Sequence, residues 1–350
     1  MKIGLLGCGS VAYWIHARAL RGIPGVRLAA AADPDAAARE RVRRVTGARV
    51  YERASDLLER EDIDAVVICA PTNLHADLAI AAASAGKHFY LEKPIATTAA
   101  DAESVIEAAA RAGVTAAIGF NRRRHPLFER ARELLAGGSI GAVRGVQTTF
   151  CEPTPPDAMP GWKRHRATGG GVLLDLASHH IDQLRWMLDD EVASISTALG
   201  SERTEHDTAR VELEMAGGAQ VQGFFSFRAG LADRLEFMGE RGTLRVDRHA
   251  AGLSLRVGLR RGYGTRAHWV APRPAVMAWR LERSWRPAAD PSYRRSLRAF
   301  VHHARGTASP VASLTDGLRS LEVVLAAEDA AAAGRPTRVG CRKAGTCASS

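Results

Sequence analysis

The chain lacks any uncharged apolar run near the roughly 18 residues that a membrane-crossing helix needs, so no membrane partner is expected. It is also poor in cysteine. Cys8, Cys69, Cys151, Cys341 and Cys347 are odd in number, scattered, and form no CxxC pair. That excludes a disulfide framework and gives no metal-ligand spacing, so no metal is expected. Leu5-Leu6-Gly7-Cys8 has the form of a lipoprotein cleavage site, but only Met1 to Leu6 precede it, without the apolar core of a signal peptide. A cytoplasmic protein is the expectation. Lysine is scarce too, five against 43 arginines, within a net charge of +10. The basic residues alternate with acids, as in Arg39-Glu40-Arg41 and Glu129-Arg130-Ala131-Arg132-Glu133, and there is no nucleic-acid motif or basic run. Nucleic acid is therefore set aside as a partner. Part of the charge is read as serving an anionic small molecule or a cofactor's phosphates.

What is present has the balance of a globular protein, 46% apolar and 25% charged. At 350 residues the chain exceeds one ordinary core and implies two domains. Lys2 to Leu6 reads as a strand, Gly7-Cys8-Gly9-Ser10-Val11-Ala12 as a glycine turn, and the residues to about Arg21 as a helix. In that order Gly7 makes the tight turn, Gly9 lets backbone approach a pyrophosphate, and Ala12 lets the helix pack close to the strand. Ser10 and Val11 stand where the helix offers free N–H groups to phosphate. A second apolar run, Val26 to Ala32, ends in Asp33. An acid there holds both ribose hydroxyls and repels a 2′-phosphate, which favours NAD over NADP. Arg39 and Arg41 lie near enough to soften that preference, so NADP stays open. A helix cap before Pro34 is the structural alternative for Asp33.

Strands and helices then alternate. Ala48 to Tyr51, Ala65 to Ile68, His88 to Leu91 and Ala116 to Gly119 read as strands; Ala54 to Glu59, His75 to Ala85 and Thr98 to Ala112 read as helices. This rhythm predicts a doubly wound parallel sheet whose ligands bind beyond the carboxyl ends of its strands. Two segments fall at such ends: Cys69 to His75, with Pro71, Thr72, Asn73 and His75 placed to pass the nicotinamide, and Glu92-Lys93-Pro94. A lysine facing a cofactor cleft gives up its proton more readily than a solvated one. The plain alternative for Lys93 is a surface pair with Glu92.

Gly169-Gly170-Gly171 opens an apolar helical run in which Asp175, His179 and Asp182 fall at i, i+4 and i+7. That spacing predicts one shared face. A histidine between two carboxylates suits proton transfer near neutral pH, and a solvated polar face is the alternative. His180 is rotated about 100° from His179 and is read as packing or support.

Together Gly7-x-Gly9-x-x-Ala12, Pro71-x-x-x-His75, Ala85-Gly86-Lys87-His88, Glu92-Lys93-Pro94, Gly119-Phe120-Asn121-Arg122-Arg123 and Gly169 to Asp182 resemble the Gfo/Idh/MocA oxidoreductases, the family of glucose-fructose oxidoreductase and inositol dehydrogenase. The resemblance runs from residue 1 to about Val339. It implies that the glycine turn and Asp33 hold the dinucleotide and that Lys93 lines nicotinamide and substrate, with a Lys93–Pro94 bond that is often cis in the family. It implies that His179 exchanges the proton of the substrate oxygen, with Asp175 as its companion. Some members carry Tyr at the His179 position, and Ala177 stands where Gly is usual.

The pattern changes after about Ala142. Val143 to Phe150 reads as a strand, Glu152 to Thr168 as a Pro-rich loop carrying Trp162-Lys163. Val192 to Leu199, Thr208 to Met215, Ala219 to Phe227, Leu231 to Gly239 and Gly242 to Val246 read as successive strands of an open, largely antiparallel sheet, hence an α+β domain. Its face is a natural surface for a homodimer or homotetramer, as the family also implies. Ala250 to Asp290 is read as irregular, with a substrate lid and a partner contact both open. Tyr293 to Arg305 and Leu314 to Ala333 are read as helices that cover the first domain, with Arg335 to Val339 as a last strand. The boundaries expected are 1–122 for the cofactor domain, 123–339 for the substrate and assembly domain, and a polar tail over 340–350.

The chemistry expected is hydride transfer between nicotinamide and a hydroxyl or keto carbon. His179 serves as base or acid, Asp175 orients the imidazole or grips a hydroxyl, and Lys93 polarises the oxygen. Asn121, Arg123 and Trp162 are expected to shape the pocket, and Arg122 and Arg124 are as readily surface charges. The resemblance implies a sugar, cyclitol or sugar-derivative substrate. Two other readings stand beside it: an NAD-dependent glycosidase of the same family using transient oxidation, and a non-catalytic dinucleotide-binding regulator.

Overall fold

The computed structural model describes residues 1–249, 252–258, 265–269, 274–285, 290–307, 309 and 311–340. The expected tail over 341–350, with Cys341 and Cys347, lies outside them. The first half alternates strand and helix: β1 (Lys2–Leu6), a π-helical turn (Ala12–His16) running into α1 (Ala17–Arg21), β2 (Arg27–Ala32), α2 (Ala36–Thr46), β3 (Arg49–Tyr51), α3 (Ala54–Arg60), β4 (Ala65–Ile68), α4 (His75–Ser84), β5 (His88–Leu91), α5 (Ala99–Ala112) and β6 (Ala116–Ile118). The six strands form one parallel sheet in the order β3-β2-β1-β4-β5-β6. All four residues of β4, Ala-Val-Val-Ile, are buried, because helices cover both faces of a parallel sheet. Local chemistry sets the helix ends. Thr98 caps α5 by accepting from the Asp101 N–H, and Gly113 closes it at φ 63°.

The second half runs α6 (Pro126–Ala136), β7 (Val143–Cys151), a second π turn (Leu173–Ala177) leading into α7 (Ser178–Leu188), then β8 (Val192–Gly200), β9 (Thr208–Met215), β10 (Gln220–Ser226), β11 (Ala232–Gly239), β12 (Gly242–Asp247), β13 (Gly252–Gly258) and β14 (Thr265–Trp269). After these come α8 (Pro274–Trp285), α9 (Pro291–Ala304), α10 (Leu314–Ala333) and β15 (Thr337–Arg338). The second sheet has the order β14-β13-β12-β11-β7-β10-β9-β8-β15. In β9, Ala209, Val211, Leu213 and Met215 are buried while Arg210, Glu212 and Glu214 face out, the alternation of a sheet covered on one side.

The sheet is largely antiparallel, as expected; its one parallel pair among the described strands is β10 beside β7, a crossover that hairpin signals do not announce. One sequence expectation needs correction here. The stretch from Ala250 to Asp290, read as irregular, contains β13, β14 and α8. The last two helices do return to the first sheet. The Tyr90 hydroxyl meets Ser296 Oγ of α9 at 3.1 Å and its ring packs edge-on against Phe300. Gly317 of α10 sits against Ile95 and Ile118, where a Cβ would come within 2.9 Å of Ile118. The same helix packs on β8 and α7, so α10 joins the two halves.

Candidate active site

The parallel sheet reverses strand order between β1 and β4, and loops leaving that switch point form the first wall of the site. Gly7 has φ 91°, and a Cβ there would stand 2.8 Å from the backbone of Cys69 and Ala70, so only glycine fits between the ends of β1 and β4. Nothing lies within 4 Å of a Cβ built on Gly9, so the turn is open where a pyrophosphate would approach. Asp33 Oδ2 accepts the Cys8 N–H at 2.7 Å and Oδ1 accepts the Asp35 N–H at 2.8 Å. The cap of α2 is Asp35, which leaves Asp33 at the strand end beside the glycine turn. These features fit a dinucleotide: an open glycine turn, free helix-start N–H groups at Ser10 and Val11, and a carboxylate beside them.

The loop after β4 is braced from within. Both ring nitrogens of buried His75 lie on carbonyl oxygens, Nδ1 on Pro94 at 2.7 Å and Nε2 on Ala70 at 3.0 Å. This ties Pro71-Thr72-Asn73 to the turn after β5, where the Lys93–Pro94 peptide is cis. Thr72 is buried and Asn73 exposed. Glu92 is fixed by His16 Nε2 at 2.7 Å.

The glycine triplet brings the second half against this wall. A Cβ on Gly169 would stand 2.3 Å from Thr72, and one on Gly170 would stand 2.2 Å from the Lys163 carbonyl oxygen. Only bare backbone lets the loop carrying Lys163 and the cofactor loop close on each other here. The π turn Leu173–Ala177 then delivers Asp175 into the cleft. Lys93 Nζ donates to Asp175 Oδ1 at 2.9 Å and to the Asp175 carbonyl at 2.7 Å, while Lys163 Nζ donates to Oδ2 at 2.7 Å. Burial would raise the Asp175 carboxyl, but the charges of Lys163 and Lys93 outweigh it and hold the group well below the usual carboxylate range. Lys163 is held above its ordinary value; burial opposes its charge and Asp175 outweighs the burial.

His179 is 8% exposed and lines the same cavity, and its Nδ1 has no hydrogen-bond partner. Burial, then the charges of Lys93 and Arg122, push it well below the ordinary histidine value, so it stands neutral at neutral pH. The expectation that Asp175 orients this imidazole is corrected: both of its oxygens are taken by lysines. Nor do the three residues share one role. The π turn has i to i+5 hydrogen bonds, which shifts Asp175 out of the regular register that the i, i+4, i+7 spacing assumed, while His179 and Asp182 keep theirs within α7. Asp182 is buried, does not line the cavity and binds Arg123, whose Nε and Nη2 reach it at 3.0 and 2.6 Å.

Arg123 is thereby also corrected. It spans Asp182 and Asp316, joining α7 to the start of α10, and does not line the cavity. Its neighbour Arg122, read as a surface charge, is buried and does line it. The Arg122 guanidinium lies 4.2 Å from the Phe150 ring centroid and pairs with Asp233 at 3.0 Å. Asp233 also accepts from Arg248 Nε at 2.6 Å and from His180 Nε2 at 3.0 Å, and His180 Nδ1 accepts from Thr148. His180 therefore anchors a buried charge network behind the wall. Asn121 and Trp162 line the cavity; Asn121 Nδ2 donates to Ser292 at 2.6 Å while its buried Oδ1 has no partner, an acceptor aimed at nothing in the protein. Sequence reading missed Lys163, Arg248 and Asp233, for which only the presence of Lys163 beside Trp162 offered any signal. Among the described residues no group of three or more His, Cys, Asp or Glu side chains could hold a metal ion.

A doubly wound sheet with an open glycine turn, meeting a lysine, an aspartate and a neutral histidine across one cleft, is the construction of a dinucleotide-dependent oxidoreductase. The comparisons narrow the class. The family model described as "Oxidoreductase family, NAD-binding Rossmann fold" matches residues 1–120, and the GFO/IDH/MocA C-terminal domain model matches residues 128–245. The inositol 2-dehydrogenase of Rhizobium meliloti is 30% identical over 338 residues, covering 93% of this chain and 96% of that protein. The myo-inositol 2-dehydrogenase of Thermotoga maritima is 32% identical over 257 residues, covering 71% and 75%. The crystal structure of an oxidoreductase domain protein from Kribbella flavida superimposes with a TM-score of 0.85 at 26% identity, covering 96% of this chain and 98% of that one. The chain belongs to the GFO/IDH/MocA family of NAD-binding oxidoreductases.

Proposed function

We propose that this oxidoreductase acts on a CH–OH or keto carbon of a sugar, cyclitol or sugar derivative, with NAD preferred to NADP. The observation that carries the reading is the meeting of Lys93, Asp175 and His179 on one cavity beside an open glycine turn. The inositol dehydrogenases aligned over most of their length support the substrate class. Gly7 to Ala12, Asp33, Pro71 to Asn73, His75 and Glu92 are the residues that would hold the dinucleotide, and when bound its nicotinamide gives or takes the hydride.

The protein's part is to orient and to move a proton. Neutral His179 accepts the hydroxyl proton in oxidation and returns it in reduction. Lys93 donates to the substrate oxygen from a position fixed by Asp175. Asp175 stays ionised and so acts as a clamp rather than an acid. Trp162, Arg122 and Asn121 shape the wall. We assign residues 1–122 to cofactor binding and 123–339 to substrate binding and assembly. The protein is taken to work in the cytoplasm as a homodimer or homotetramer through the outer face of the nine-stranded sheet, where Phe224 is exposed. No helix among the described residues is long and apolar enough to cross a membrane.

The test is stopped-flow absorbance with NAD and NADP, oxidised and reduced, against polyols, sugars and sugar nucleotides. Net cofactor turnover with a sugar or polyol supports the reading. Transient redox coupled to glycoside hydrolysis replaces it with the glycosidase, and binding without redox with a regulatory protein.

A further inference from the structure

The first π turn places Tyr13, Trp14 and Ile15 between Ala12 and His16, which are both fully buried. Trp14 is 58% exposed, yet it lines the same cavity as Lys93, Asp175 and His179. Arg18 lays its guanidinium 4.5 Å from the indole centroid, and Tyr13 meets the indole edge-on at 4.7 Å. This fixes a large aromatic surface in the open, where its burial by a ligand would be favourable. Arg18, Arg294 and Glu282 also line the cavity. Among the described residues none of the three has a hydrogen-bonding or ion-pair partner.

The cavity encloses about 1220 Å³, more than the roughly 300–1,000 Å³ of a site for one drug-sized ligand. Gly7, Gly9 and Asp33 stand outside its wall, while Val11, Thr72 and Lys93 line it, so the volume has room for a nicotinamide, a reacting ring and a further ring.

We propose that Trp14 is the platform of a second subsite at the mouth of the cleft, which takes a neutral glycosyl ring linked to the ring that reacts. The substrate is then a disaccharide or other glycoside rather than a free sugar or cyclitol. The apolar C–H face of a sugar ring lies flat on an indole. The unpartnered guanidinium groups of Arg18 and Arg294 donate to its hydroxyls and the Glu282 carboxylate accepts from them. Glu282 and Glu152 line the same cavity and repel a diphosphate, so the occupant is taken as a neutral ring and not a nucleotide. The inference rests on the reading of the chain as a dehydrogenase of sugar-type substrates, and it adds which of those substrates fit.

The test measures cofactor reduction and calorimetric binding for wild type, Trp14→Ala and Trp14→Phe. The probes are glucose and myo-inositol against cellobiose, maltose, lactose, trehalose and UDP-glucose. The expected result is a disaccharide preferred to its free sugar by about tenfold or more in kcat/KM. Trp14→Ala lowers that preference about tenfold through KM, and Trp14→Phe restores most of it. Turnover with an unchanged preference in Trp14→Ala overturns the subsite and leaves the dehydrogenase reading standing. A preference for UDP-glucose that depends on Trp14 overturns the neutral occupant, and weakened NADH binding in Trp14→Ala reassigns the indole to the cofactor. The absence of both binding heat and turnover with every one of these compounds overturns both readings.

Discussion

Lys163 Nζ stands 2.7 Å from Asp175 Oδ2, on the oxygen that Lys93 leaves free. One carboxylate therefore positions two ammonium groups from different parts of the chain. Lys93 comes from the turn after β5 and Lys163 from the loop before the glycine triplet. In Lys163→Met, Asp175 keeps only Lys93 and is free to swing onto it. A shift of that kind misaligns a donor by a fraction of an ångström, which lowers kcat about 10- to 100-fold. Lys163→Arg should recover part of the loss by restoring a cation on Oδ2. Steady-state kinetics of both variants decide it; a wild-type kcat in Lys163→Met means that Lys93 alone sets the geometry.

Removing the imidazole tests the proton step directly. His179→Ala should lower kcat about 10²- to 10⁴-fold, the range for loss of a general base, while NADH still binds within about threefold of wild type. Turnover that survives the substitution would remove His179 from proton transfer.

In the proposed function Asp33 sets cofactor choice, and its hydrogen bonds also hold local order. Wild type should bind NADH more tightly than NADPH, and Asp33→Ala should narrow the difference, both read by fluorescence titration. The same substitution strips the Cys8 and Asp35 N–H groups of their acceptor. That costs about 1–3 kcal/mol of stability, seen as a lower urea midpoint. Tighter NADPH binding by wild type would mean that Arg39 or Arg41 overrides the carboxylate.

His125 makes the fold sensitive to mild acid. Burial lowers its pKa from 6.5 to about 4. Between those values the unfolded chain takes up a proton that the folded one refuses, so stability is full above 6.5 and falls as pH drops toward about 4. The loss from this one group is about 3 kcal/mol. His125 also caps α6 by accepting from the Leu127 N–H, which an asparagine can do as well. Urea midpoints at about pH 7, 6 and 5 should therefore decline less steeply in His125→Asn. Parallel slopes would place the acid sensitivity elsewhere.

Much of the fold was legible because its signals are local. The glycine turn, the buried run of β4 and the alternation along β9 are each set within a few residues. The crossover that lays β10 beside β7 was not, since parallel pairing leaves no turn in the sequence to mark it. The site divides in the same way. Lys93, Asp175 and His179 stand out through their motifs. Arg122 and Asp233 lie 111 positions apart, and neither looks unusual until the fold buries them together.

The stretch from Gly169 to Asp182 shows both sides of that division. By itself the sequence determined the family, the parallel sheet with its cofactor turn, and the residue types that do chemistry, because these depend on short spacings and on the periods of helix and strand. Only the tertiary structure decided what each side chain faces. The π turn gives Asp175 to two lysines and leaves His179 without a carboxylate, while Asp182 goes to Arg123. The glycines that open this run leave the gap in which Lys163 and Thr72 close on one another. Such contacts join residues tens of positions apart, and burial makes their charges strong enough to settle which pairs form.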